Sequence, residues 1–86
     1  MITKEITINN KSGMSLRSVG NLMRIATGFD CSVIIKRGAD EFNAKSILGV
    51  MTARLKQGDA VIFECVGSDE YACMRAISEA AARGFE

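Results

Sequence analysis

The chain has 86 residues, 48% of them apolar and 24% charged, with a formal charge of +1. That is the profile of one ordinary globular domain over residues 1–86, able to bury about 60% of its unfolded surface. No apolar run approaches the roughly 18 residues that cross a bilayer, and with 6% aromatic residues and no Trp the chain lacks the surface of a nucleic-acid binder.

Ile2, Lys4, Ile6 and Ile8 alternate with Thr3, Glu5 and Thr7, the period of a strand with one face inward. Asn9 to Gly13 reads as a turn. From Leu16 to Thr27, Val19, Leu22, Met23 and Ala26 recur at helical spacing and make one buried stripe. Gly28 is expected to stop that helix in a left-handed conformation. Cys31 to Lys36 and Glu41 to Asn43 read as strands joined by a turn at Arg37-Gly38-Ala39-Asp40. A short helix is predicted from Ile47 to about Arg54, with Ser46 as its N-cap. In the next strand Val61, Phe63 and Cys65 face inward, while Ile62, Glu64 and Val66 face outward. Ser68 is expected to cap a last helix whose first turn holds Asp69 and Glu70, and whose stripe is Cys73, Met74, Ile77, Ala80 and Ala81. The order is βαββαβα, an α+β domain with helices on one face of an antiparallel sheet.

What is missing narrows the chemistry. There is no histidine, the usual proton shuttle, metal ligand and phosphoryl acceptor near neutral pH. Cys31, Cys65 and Cys73 are odd in number and far apart, without a CxxC pair. They are expected to be reduced and buried, in neither a disulfide frame nor a zinc site. Phosphate-binding glycine loops, catalytic acid pairs and nucleophile–base pairs are absent. Neither enzyme activity nor a metal or cofactor is expected; Asp69 and Glu70 read as ordinary first-turn stabilisers.

The element order and two local segments resemble the HPr family, the phosphocarriers of the bacterial phosphoenolpyruvate:sugar phosphotransferase system. Asn43-Ala44-Lys45-Ser46-Ile47-Leu48-Gly49-Val50-Met51 is similar to the regulatory serine segment of HPr from Gram-positive bacteria. Gln57-Gly58 and Gly67-Ser68-Asp69-Glu70 agree as well. The resemblance implies an open-faced β-sandwich with a four-stranded antiparallel sheet and three helices on one face. The family's other signature is degraded. Gly13, Met14 and Arg17 fit it, but Ser15 stands where the phosphorylated histidine belongs, and Leu16 and Ser18 also depart, Ser18 replacing a proline. A serine phosphate ester is inert to the transfer that phosphohistidine performs.

Competing readings stand at each candidate site. Ser15 either caps the first helix or belongs to a residual anion site made of free backbone N–H groups, the positive end of the helix dipole and Arg17, with phosphorylation of Ser15 itself a third and lesser reading. Ser46 is either an N-cap alone or, as the resemblance implies, a regulatory phosphosite with Lys45 as a nearby cation. Ile47, Leu48 and Met51, rimmed by Arg17 and Arg24, either pack locally or form a partner-binding face. Arg54 departs from the glycine common at that position in the family.

The resemblance thus implies a cytoplasmic regulatory or interaction protein that cannot act as a histidine phosphocarrier. Its expected partners are an HPr-kinase-like enzyme and a catabolite-control-type transcriptional regulator or a metabolic enzyme. No membrane or direct nucleic-acid contact is expected, and the chain would be a monomer or weak dimer. The alternative is an unphosphorylated module binding sugar-transport or metabolic enzymes through Arg17, Ile47, Leu48 and Met51.

Overall fold

In the computed structural model, which describes residues 1–86, β1 spans Ile2–Thr7, α1 Leu16–Thr27, β2 Ser32–Arg37 and β3 Asp40–Asn43. Then come α2 at Ile47–Ala53, β4 at Ala60–Val66 and α3 at Glu70–Ala82. The strands lie side by side in the order β1-β4-β2-β3, every neighbouring pair antiparallel. The three helices cover one face, the open-faced α+β architecture expected from the sequence.

Alternation sets the register. Ile6 lies opposite Val61, Ile35 opposite Phe63 and Val33 opposite Cys65, all on the helix-covered face. Val61, Phe63 and Cys65 are fully buried there, in one core with Val19 and Leu22 of α1 and Ile77 of α3. Lys4 points to the same face, but β1 is an edge strand, so its amine escapes along the rim to the Ser78 hydroxyl at 2.9 Å. The β2–β3 connection is the two-residue loop Gly38-Ala39. Gly38 has φ +61° and Ala39 does not share the positive sign, as in a II′ hairpin turn.

Two helix ends depart from expectation, while α2 ends about where expected. Gly28 does end α1, but at φ −75° and not in the left-handed region. Its N–H turns back to the Ile25 carbonyl at 3.1 Å, so a tightened last turn does the work of a left-handed cap. α2 stops at Ala53, because Arg54 takes φ +50° and donates its N–H to the Met51 carbonyl. Ser68 does not cap α3. Asp69 holds the N-cap position without bonding its own helix, because its carboxylate is engaged elsewhere.

The end of α3 turns the tail back toward the loop before α1. Phe85 N–H bonds the Ala80 carbonyl at 2.8 Å and Gly84 N–H the Ala81 carbonyl at 3.0 Å, with Gly84 at φ +65°. This is a Schellman closure. It folds Phe85 back into the core, 1% exposed, its ring stacked 6.5 Å from that of Phe63. Two asparagines hold the tail: Asn10 donates to the Gly84 carbonyl at 2.7 Å and Asn21 to that of Phe85 at 2.8 Å.

Candidate functional site

The loop before α1 is pinned from behind. Met14 N–H bonds the Leu55 carbonyl at 3.1 Å, and Gly13, at φ +76°, lies so close that a Cβ would meet that same oxygen at 2.9 Å. α1 then opens with a reciprocal pair. Ser18 N–H donates to Ser15 Oγ at 3.2 Å, and Ser15 N–H donates to Ser18 Oγ at 2.8 Å. This capping box uses two of the N–H groups that an anion would need. The N–H groups of Leu16 and Arg17 keep no partner within the chain. The helix start expected to offer free donors therefore offers only part of them. Arg17 is exposed there and joins no ion pair, whereas Arg24, further along α1, donates to Asn21 Oδ1 at 2.8 Å.

Ser15 also lines a polar cleft of about 490 Å³ between the Asn9–Gly13 loop and the tail, where Lys11, Arg83 and Glu86 face it. Sequence reading missed Lys11 and Arg83. Only their charge is legible in the chain; the turn that returns Arg83 to the start of α1 is not.

At α2, Ser46 Oγ accepts the Gly49 N–H at 3.1 Å, the N-cap read from the sequence. Lys45, the residue before Ser46, donates one of its amine hydrogens to the Phe29 carbonyl at 2.8 Å, on the connection between α1 and β2. The apolar residues also separate. Ile47 is half-buried and packs on the core, whereas Leu48 is 77% and Met51 39% exposed. Leu16, which did not figure in the expected face, is 64% exposed at the start of α1, and α1 packs against α2.

At the opposite end of α3, Asp69 accepts the Asp30 N–H at 2.7 Å and the Cys31 N–H at 2.9 Å. These bonds, that from Asp30 foremost, hold its carboxyl below the usual range. Glu70 is lowered by the Gly67 N–H first and then by the Met1 amine. Both acids thus tie loops together, beyond steadying a first turn. The three cysteines are free and buried, as expected. Remote in sequence, they converge in space, with Sγ atoms all within 4.8 Å of one another. Burial pushes the Cys31 thiol to about 12 and that of Cys73 to about 11, and Cys65 rises too, so none is an activated nucleophile.

A family model described as the PTS HPr component phosphorylation site matches residues 2–83. The phosphocarrier protein HPr of Xylella fastidiosa is 34% identical over 79 residues, covering 92% of this chain and 89% of that protein. The HPr-like protein Crh of Halalkalibacterium halodurans is 27% identical over 77 residues, covering 90% and 92%. The crystal structure of HPr-C-His from Thermoanaerobacter tengcongensis matches with a TM-score of 0.93 at 28% identity, over 99% of this chain and 96% of that one.

Proposed function

Because the chain belongs to the HPr family of the phosphotransferase system, we propose that it is a regulatory, protein-binding member that carries no phosphoryl group on histidine. The observation that carries this reading is Ser15. The resemblance over Gly13 to Ser18 puts it at the position of the family's phosphorylated histidine, the chain has no histidine, and the Ser15 hydroxyl is engaged in a capping box with Ser18. An imidazole nitrogen is a good leaving group for a phosphoryl relay; an alkoxide is not. The protein is therefore neither a carrier nor an enzyme, and it works in the cytoplasm by contact.

The contact face is Leu16, Arg17, Leu48 and Met51, with Arg24 and half-buried Ile47 at its margin. Exposed apolar side chains beside an unpaired arginine suit a partner with an apolar centre and an acidic or phosphorylated rim. Ser46 is the regulatory site, modified by an HPr-kinase-like enzyme so that a catabolite-control-type regulator is favoured. Ser15, Arg17 and the uncommitted N–H groups of Leu16 and Arg17 receive an anionic group of the partner.

Leu48 favours a second reading. It is 77% exposed with no phosphate on Ser46, which suits a module that binds metabolic enzymes unmodified. One experiment separates the two. The protein is incubated with HPr kinase and ATP, analysed by mass spectrometry, and both forms are titrated against a candidate regulator. A single phosphate on Ser46 with tighter binding supports the regulatory reading. No product, or equal affinity, supports the unmodified module.

A further inference from the structure

Cys31 precedes β2, Cys65 lies on β4 and Cys73 on α3, so three separate elements send sulfur to one point. Cys65 is anchored opposite Val33 and Ile2 in the sheet. Cys31 is pressed against Gly67, where a Cβ would come within 2.6 Å of the Cys31 Cα. The Asp69 carboxylate fixes the Cys31 backbone from outside. All three side chains are essentially without solvent contact.

Bonds of about 2.3 Å place three sulfurs around one ion about 4 Å apart when the array is planar and about 3.5 Å apart in the pyramid that a lone pair on arsenic imposes. The cluster, with every pair within 4.8 Å, needs little movement to reach that arrangement. We propose that Cys31, Cys65 and Cys73 form a three-thiolate site for a single soft, thiophilic ion, and that the ion best suited is trivalent arsenic. Sulfur ligands alone select soft ions. The dry surroundings then select among these by charge, because an uncompensated charge is costly to bury. Three thiolates around a monovalent ion leave two negative charges, and around a divalent ion one. Around a trivalent ion they leave none.

Arsenous acid is itself uncharged, and the exchange is balanced. As(OH)3 and three thiols give As(SR)3 and three waters. Three As–O bonds break and three As–S bonds form, each thiol proton leaves with a hydroxide, and arsenic keeps its oxidation state. Entry needs only a local opening of the turn that carries Asp30 and Cys31, which the partly exposed Asp69 holds shut.

The test is anaerobic titration of the reduced, folded protein with sodium arsenite, followed by native mass spectrometry and near-ultraviolet absorbance. The expected product carries one arsenic less three hydrogens, the mass signature of three As–S bonds. Cys31→Ala, Cys65→Ala and Cys73→Ala should each lose it while circular dichroism reports the fold. If a variant does not fold, the wild-type mass still decides, because capture by two thiols retains a hydroxyl on arsenic. Copper(I) and zinc(II) titrations are the competing arms, and arsenite should displace both. Absence of an adduct on folded protein, a hydroxyl-bearing adduct, survival of the adduct in a folded single variant, or displacement of arsenite by copper(I) or zinc(II) would overturn the proposal.

Discussion

Ser15 and Ser18 close the first turn of α1 on each other, each backbone N–H bonded to the other's hydroxyl at 2.8 and 3.2 Å. Together they form a unit that neither serine would form alone. Ser15→Ala should therefore cost about 1 kcal/mol of stability, read from the shift in denaturant midpoint. Ser15→His alone should restore little transfer from phosphoenolpyruvate through the general enzyme of the phosphotransferase system, because Leu16 and Ser18 remain. Efficient formation of an acid-labile phosphoryl group by that single variant would show those two departures to be harmless.

The two helical faces can be separated by substitution at α2. Ser46→Ala removes the bond to the Gly49 N–H and should cost about 1 kcal/mol of stability. It should also abolish any increment in partner binding that depends on kinase treatment. Met51→Ala should weaken binding about fivefold with or without phosphate, since it removes apolar contact and no charge. Calorimetric titration of both variants, before and after kinase treatment, checks the two statements together.

Arg54 holds a left-handed conformation at φ +50° without the freedom of glycine. Arg54→Gly should stabilise the protein by about 1 kcal/mol, because the Cβ is what makes that region costly. The denaturant midpoint should rise with an unchanged slope. A fall would mean that the arginine side chain contributes more than its backbone loses.

The Asp69 carboxylate gives the fold a dependence on acidity. Its folded-state pKa lies below the ordinary value, chiefly through the Asp30 N–H and then through that of Cys31. Its contribution to stability is therefore complete above the ordinary carboxylate pKa and is lost as pH falls through the depressed one. Asp69→Asn should lower the melting temperature at neutral pH and flatten its decline below pH ~4. Melting curves of both proteins from neutral to acid pH show whether the two profiles converge.

Phe85→Ala should cost about 3 kcal/mol, a large effect for a residue one position from the chain's last. The ring fills space against Phe63, and its backbone carbonyl takes the Asn21 amide. Chemical denaturation measures the loss. Amide exchange should show the end of α3 loosening first.

The strands and most of the core stripes were legible because their signals repeat, although Met23, expected in the stripe of α1, is only partly buried and Ser18 is buried there instead. Phe63 and its neighbours on β4 alternate, Val19 and Leu22 follow helical spacing, and Ser46 sits just before an apolar run; each needs only a short window of sequence. Asp69 was misread because a first-turn acid looks the same whether it steadies its own helix or binds a loop 38 residues away. The surroundings of Lys45 and Arg83 were hidden for a similar reason: their charge is local, but the Phe29 carbonyl and the cleft beside Ser15 are brought to them by the fold. Phe85 carries no periodic signal, since its burial depends on the glycine turn before it. The convergence of the cysteines is a property of sheet register and of the packing of α3 on β4, which no spacing along the chain encodes.

The pairing of β1 with β4 has a consequence for the order of events during synthesis. Ile2 ends opposite Cys65, and Ile6 opposite Val61, so the first strand emerges from the ribosome long before its only neighbour in the sheet. The β2–β3 hairpin can pair locally before β4 is made, but β2 and the core face of α1 also wait for β4 and α3. Until then Ile6 and Ile8 have no strand to cover them, and closure of a loop of more than fifty residues must precede any gain from the β1–β4 ladder. A ribosome paused before Ala60 should therefore carry a chain whose N-terminal segment is open to proteases or chaperones, and release of β4 should close that window in one cooperative step.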